Sequence, residues 1–139
     1  MLSEGKKSFL THTGVKKMID ACVQKANEFN IAINIMVLDD GGNSKGFLRM
    51  DHAPLIGEKI AHNKAYTAVG FGIPTSEWYP TIKDNPVLLH GLVHIDKMVI
   101  LGGGLPIYQD THLIGSIGVS GGTMEQDVLC AQAALDALV

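Results

Sequence analysis

Six histidines offer the first material for chemistry: His12, His52, His62, His90, His94 and His112. His90 and His94 stand four apart, so a helix would bring both imidazoles to one face and within reach of one metal ion. No acidic residue stands beside them in the arrangement a zinc protease needs, and Gly91 between them weakens the helix. His62 falls two residues before Lys64 and on a different helix face from Ile60. A lone imidazole there reads as a surface or helix-polar group before it reads as a metal ligand. His12, near the first helix, and His112, in a turn, read as solvated.

Among the charged residues, Arg49, Asp51 and Lys64 stand out. Arg49 ends an otherwise apolar strand, and Lys64 sits among Ala61, Ala65 and Ala68. A cation surrounded by small residues either points into a pocket and holds a carboxylate or snorkels to water. Gly102-Gly103-Gly104-Leu105-Pro106 lacks the Gly-Lys-Ser/Thr ending of a nucleotide loop, and a strand follows it. It reads either as a glycine-lined wall where a flat or bulky ligand meets the backbone or as the bulged start of a strand. Gly121-Gly122 could present free amides to an anion, but Glu125 and Asp127 already complement the helix dipole there. Ser120 lies in Val-Ser-Gly-Gly, outside any nucleophile elbow. Cys22 and Cys130 fall on apolar helix faces and read as buried, reduced thiols.

These residues need elements to hold them. Apolar residues from Val15 to Phe29 recur every three or four positions, which predicts a helix over residues 13–30. Ile31, Ile33, Ile35 and Val37 then change the period to two, a strand covered on both sides near its end. Asp39 to Asn43 is a turn, and residues 44–50 return as the hairpin partner. A second helix is predicted over residues 55–71, stopped by Pro74-Thr75, with a short helical or irregular region after it. Residues 80–96 show little pattern. Lys97 to Leu101, Leu105 to Gln109 and residues 113–120 read as three strands of a meander. In the last of these, Gly115 and Gly118 remove side chains where something must approach the backbone. Thr123 with Gln126 forms a capping box for a helix that runs to the end of the chain. Links of two to five residues between strands require antiparallel pairing. The expected architecture is a single domain over residues 1–139: an antiparallel sheet of about five strands with helices packed on it, after a loose or docking arm at residues 1–10.

Composition sets limits on partners. Apolar residues make up 46% of the 139 and charged ones only 18%, with a net charge of −3. That charged share is below the usual quarter, which predicts that another subunit covers part of the surface. No basic stripe suggests nucleic acid. No apolar run reaches the roughly 20 residues of a membrane span, and the first residues lack a signal peptide's apolar core. A cytoplasmic protein is expected.

Five stretches in order carry a resemblance. They are Asp39-Asp40-Gly41-Gly42 followed by Phe47-Leu48-Arg49-Met50-Asp51; Lys64-Ala65-Tyr66-Thr67-Ala68 with Pro74-Thr75; Gly102-Gly103-Gly104-Leu105-Pro106; Ile117-Gly118-Val119-Ser120-Gly121-Gly122; and Glu125-Gln126-Asp127. Together they resemble the haem-binding family typified by HbpS and GlcG, whose domain also forms the C-terminal part of PduO-type corrinoid adenosyltransferases. The resemblance runs from about residue 13 to the end. It implies a profilin-like α/β (α+β) fold and assembly from dimers up to octamers. It also implies haem binding, in some members with haem degradation or redox sensing; others belong to glycolate, diol, glycerol or aromatic catabolism. Its motifs are glycine- and proline-rich, so they imply a fold and a pocket and leave the axial ligand unassigned.

The leading expectation is a haem-binding or haem-handling homo-oligomer. Arg49 and Lys64 would meet the propionates, the Gly103-Gly104 wall would meet the ring, Asp51 and Ser120 would complete the pocket, and His62 would ligate iron. The competing expectation is a small-molecule enzyme in which Arg49 and Lys64 anchor a carboxylated hydroxy- or oxo-acid and Asp51 or His52 moves protons. A third is a non-catalytic oligomeric accessory protein.

Overall fold

Helix α1 (His12–Glu28) begins where the Thr11 hydroxyl accepts a hydrogen bond from the Gly14 amide at 3.1 Å. Its three- and four-residue spacing turns Val15, Met18, Cys22 and Ala26 into one buried stripe. The structure, a computed structural model, describes residue 5 and residues 7–139. Residues 1–4 and 6 of the expected amino-terminal arm lie outside the described residues. At its other end Leu10 is buried in the main core.

A hairpin follows, β1 (Asn34–Asp39) and β2 (Ser44–Arg49). Its turn is tied by Asp39 Oδ1, which accepts from the Gly41 and Asn43 amides, each at 2.9 Å. After the middle of the chain come β3 (Gly104–Gln109) and β4 (His112–Ser120). The four strands form one antiparallel sheet in the order β2-β1-β4-β3.

The sheet therefore has four strands where about five were expected, and the missing one is Lys97 to Leu101. Lys97 has a φ of 64°, which breaks an extended run. The Thr67 hydroxyl donates to the Lys97 carbonyl at 2.9 Å and accepts from the Val99 amide at 3.0 Å. A side chain on a helix thus takes the backbone partners that a neighbouring strand would have supplied, and the segment becomes a strap.

That helix is α2 (Gly57–Phe71), which covers one face of the sheet; α1 and α5 (Met124–Asp136) cover the other. Strand β1 is buried on both sides, as its double run of apolar residues requires. Ile33, Ile35 and Val37 meet Met18, Cys22, Ile117 and Val119 in the larger core. Met36 and Leu38 meet Ala61, Ala65 and Val69 in the smaller one. The alanines of α2 let the helix settle directly on β4. A Cβ at Gly118 would run into the Ala61 carbonyl oxygen, and the Ser116 hydroxyl donates to the Ala65 carbonyl at 2.6 Å. Helix α5 begins at the expected capping box, with Thr123 and Gln126 bonding reciprocally at 3.0 and 3.1 Å.

The stretch with little sequence pattern is helical: Ile82 is buried and Trp78 meets Phe71 edge-on at 4.6 Å, while its later part buries no residue. It runs from a 3₁₀ turn (Thr75–Glu77) through α3 (Trp78–Ile82) and α4 (Pro86–Gly91) to a second 3₁₀ turn (Leu92–His94). Its base is fixed by Thr75, whose hydroxyl donates to the Leu101 carbonyl at 2.7 Å and accepts from the Gly104 amide at 2.9 Å. Its far part exposes Val87, Val93 and Ile95, with Val87 at 81%.

Candidate functional site

Lys64 neither opens into a pocket nor snorkels to water. It is 2% exposed, and its Nζ donates to the Val119 carbonyl at 2.8 Å and to Asp127 Oδ2 at 3.1 Å. Asp127 Oδ1 accepts in turn from the Gly122 amide at 2.9 Å. The pair joins α2, the end of β4 and the first turn of α5. Burial pulls the Lys64 ammonium below its ordinary range and pushes the Asp127 carboxyl above its own, while each partner's charge opposes the shift.

Gly103 and Gly104 close onto this pair rather than lining a wall. A Cβ at Gly103, where φ is 127°, would lie 2.5 Å from the Val119 carbonyl oxygen, 2.9 Å from Lys64 Nζ and 3.0 Å from Asp127 Cβ. At Gly104 it would meet the Lys64 carbonyl oxygen and, at 2.7 Å, Thr75 Cγ2. Their small size serves close packing of strand on helix. Ser120 is buried at the end of β4, beside Asn34, whose backbone also pairs with Arg49. Asn34 is wholly buried; its Nδ2 donates to the Pro54 carbonyl at 3.0 Å, and its Oδ1 has no partner among the described residues.

Arg49, across β1 from Ser120, takes no part in this arrangement. It is exposed, and Nη1 reaches the Ala53 carbonyl at 3.5 Å. With Asp51, His52, Asn27, Asn30 and Leu48 it lines a groove of about 620 Å³ beside the C-terminal end of α1. Arg49, Asp51 and His52 are thus brought together, and Lys64 is not among them. The expected cradle of two cations does not form within one chain. His90 and His94 are exposed, and no group of three metal-binding side chains occurs among the described residues.

His62 has the most suggestive surroundings. It lines a groove of about 450 Å³ with Met36, Leu55, Glu58, Lys59, Asn63, Asp96 and Lys97. Its Nδ1 lies 3.3 Å from Asn63 Oδ1, which leaves Nε2 for another partner. The ring stacks on Tyr66 with centroids 6.3 Å apart and planes 17° from parallel. Met36 reaches the groove from the smaller core, where it is buried and its Sδ accepts from the Ser44 hydroxyl at 3.8 Å; Phe47 stands opposite it across the hairpin. An imidazole is one of the axial ligands haem iron takes; Leu55 and Met36 are the apolar residues beside it, and Lys59 and Lys97 share the groove with Glu58 and Asp96. Met36, Asp96 and Lys97 were missed from sequence. Only the strand period of β1 hinted at Met36, by placing it on the face opposite Ile35.

The cysteines are inert in the fold. Both are buried, and Cys22 Sγ donates to the Cys130 carbonyl at 3.0 Å. Burial pushes the Cys130 thiol up to about 11 and Cys22 higher still. An aromatic disulfide reagent should label neither thiol in the native protein at neutral pH and both in guanidinium; rapid native labelling would show that the α1–α5 seam opens.

Among the described residues no helix is long and apolar enough to cross a membrane. The family model described as haem degrading protein HbpS-like matches residues 10–136. The chain is 41% identical over 129 residues to the 15.0 kDa protein of the dhaT–dhaS intergenic region of Citrobacter freundii, covering 91% of this chain and 90% of that one. Its structure is similar to that of Klebsiella pneumoniae ORFY, with a TM-score of 0.90 and 34% identity over 99% of this chain and 97% of the other. It is similar also to PduOC, solved in complex with haem, with a TM-score of 0.87 and 32% identity over 94% and 95% of the two chains.

Proposed function

This chain belongs to the HbpS-like family, and from that premise we propose that it binds haem in the groove lined by His62. The observation that carries the proposal is that one groove holds both His62 and Met36, with Leu55 for the ring and Lys59 and Lys97 for acidic groups. The haem complex of PduOC supports the same ligand class. Asn63 Oδ1 would hold the His62 ring with Nε2 free for iron, as the partners of metal-binding histidines do. Bound haem would supply redox and oxygen chemistry; the residues of this chain bind, orient and enclose it.

Titrating hemin into the purified protein while following the Soret band tests this directly. A saturating shift is expected, and His62→Ala should weaken it by at least the roughly 10–100-fold that a ligand's supporting partners alone contribute. A linear, non-saturating response would overturn haem binding. A saturating response untouched by His62→Ala would move the ligand elsewhere.

The Arg49, Asp51 and His52 groove favours a second reading, an enzyme acting on a carboxylated hydroxy- or oxo-acid. Arg49 would take the carboxylate, and Asp51 or His52 would transfer a proton. Short hydroxy- and oxo-acids should then raise the melting temperature, and Arg49→Ala should abolish the rise. Self-association is part of both readings, supported by the exposed Val87, Val93 and Ile95 of the helical segment and its end and by exposed Leu101 on the strap.

A further inference from the structure

We infer that Lys97 selects for acidic guests in the His62 groove, an assignment that rests on the groove being the ligand site. Four charged side chains line it, Glu58, Lys59, Asp96 and Lys97. Among the described residues neither lysine is within ion-pair distance of an acid, so neither ammonium group is taken up by Glu58 or Asp96.

The two lysines differ in how firmly they are held. Lys59 rides on the outer surface of α2 and has its full rotamer freedom to lose. Lys97 is fixed on three counts. Its backbone adopts the left-handed region at φ 64°, uncommon outside glycine. Its carbonyl is held by the Thr67 hydroxyl at 2.9 Å. Its Nζ stands 4.7 Å from the centroid of the Tyr66 ring, within cation–π range. Tyr66 in turn stacks on His62. The candidate metal-binding imidazole and the fixed cation are therefore linked through one aromatic ring. A planar guest ligated at its centre by His62 carries any carboxylates at its rim, the position Lys97 would read. Strain of this kind at a non-glycine residue persists where surrounding contacts enforce it, and such places cluster at ligand clamps.

The test compares hemin with its dimethyl ester, which keeps the ring and the iron and lacks both carboxylates. Lys97→Asn removes the charge while retaining a residue that tolerates positive φ. Wild-type protein should prefer hemin to the ester, and Lys97→Asn should weaken hemin about two- to fivefold, the range of a partly exposed charge pair, while leaving the ester unchanged. Lys97→Arg should retain the preference. Equal weakening of both ligands would overturn the inference by assigning Lys97 to holding the strap, and unchanged binding of both would overturn it outright. Failure of wild-type protein to bind either ligand would instead remove the groove reading, and the role of Lys97 with it.

Discussion

Replacing Lys64 with methionine should lower the stability of the folded chain by about 3–5 kcal/mol, the usual effect of stranding one member of a buried ion pair. The substitution conserves much of the side-chain volume, so the loss reports charge rather than a cavity. It leaves Asp127 with backbone amide donors alone and strips the Val119 carbonyl of a donor. The deficit should depend on pH. Burial already raises the Asp127 carboxyl above its ordinary value of 3.8, and losing the ammonium raises it further. A raised folded value means that stability is fullest below the unfolded value and falls as pH rises through the folded one. The deficit should therefore be smaller near about pH 4 than at neutrality. Replacing Asp127 with leucine in the same chain should restore most of the loss, since an apolar pair in place of a buried ion pair is often neutral or stabilising. Guanidinium unfolding of the wild type and the two variants measures all of this. A single-variant loss under about 1 kcal/mol would show that the pair is hydrated and worth no more than a surface bridge.

Gly118→Ala is expected to be at least as damaging as typical core overpacking, which costs about 1–3 kcal/mol and sometimes more. The added carbon would strike the Ala61 carbonyl oxygen and lie 2.7 Å from the Ala65 amide nitrogen and 3.0 Å from the Ala61 carbonyl carbon. These are backbone atoms that cannot rotate aside, so α2 would have to lift from β4. Gly70→Ala in the same helix is the control, because a Cβ there meets nothing within 4 Å. It should stabilise by about 0.4–1 kcal/mol through reduced freedom of the unfolded chain. Thermal melting compares the two. A Gly118→Ala protein that melts like wild type would show that helix and strand are not in backbone contact.

The sequence made some features readable and hid others for identifiable reasons. The period-two run through Ile33, Ile35 and Val37 and the Thr123–Gln126 box are local signals; the helix starts at its box, and the strand runs Asn34–Asp39, beginning after Ile33. Gly118 was readable as a close approach, though not what approaches. The strap at Lys97 to Leu101 looked like a strand because its apolar residues are those of one. Its conformation depends on a hydroxyl at Thr67, 30 residues away from Lys97. Lys64 among alanines posed a choice between pocket and solvent, and the structure chose neither. The partner that decided it, Asp127, is 63 residues further on. Asp127 had a sufficient local explanation as a helix-start acid, which concealed its larger role. The His62 groove depends on α2, β1 and the strap meeting, a conjunction that no single stretch of sequence encodes.

The most direct measurement is an anomalous difference map at the iron edge from crystals of the protein with hemin. One iron peak within bonding distance of His62, with the ring in the groove between Leu55 and Lys97, is the expected result. An iron peak in the groove of Arg49 and His52, or beside His90 and His94, would contradict haem binding at His62.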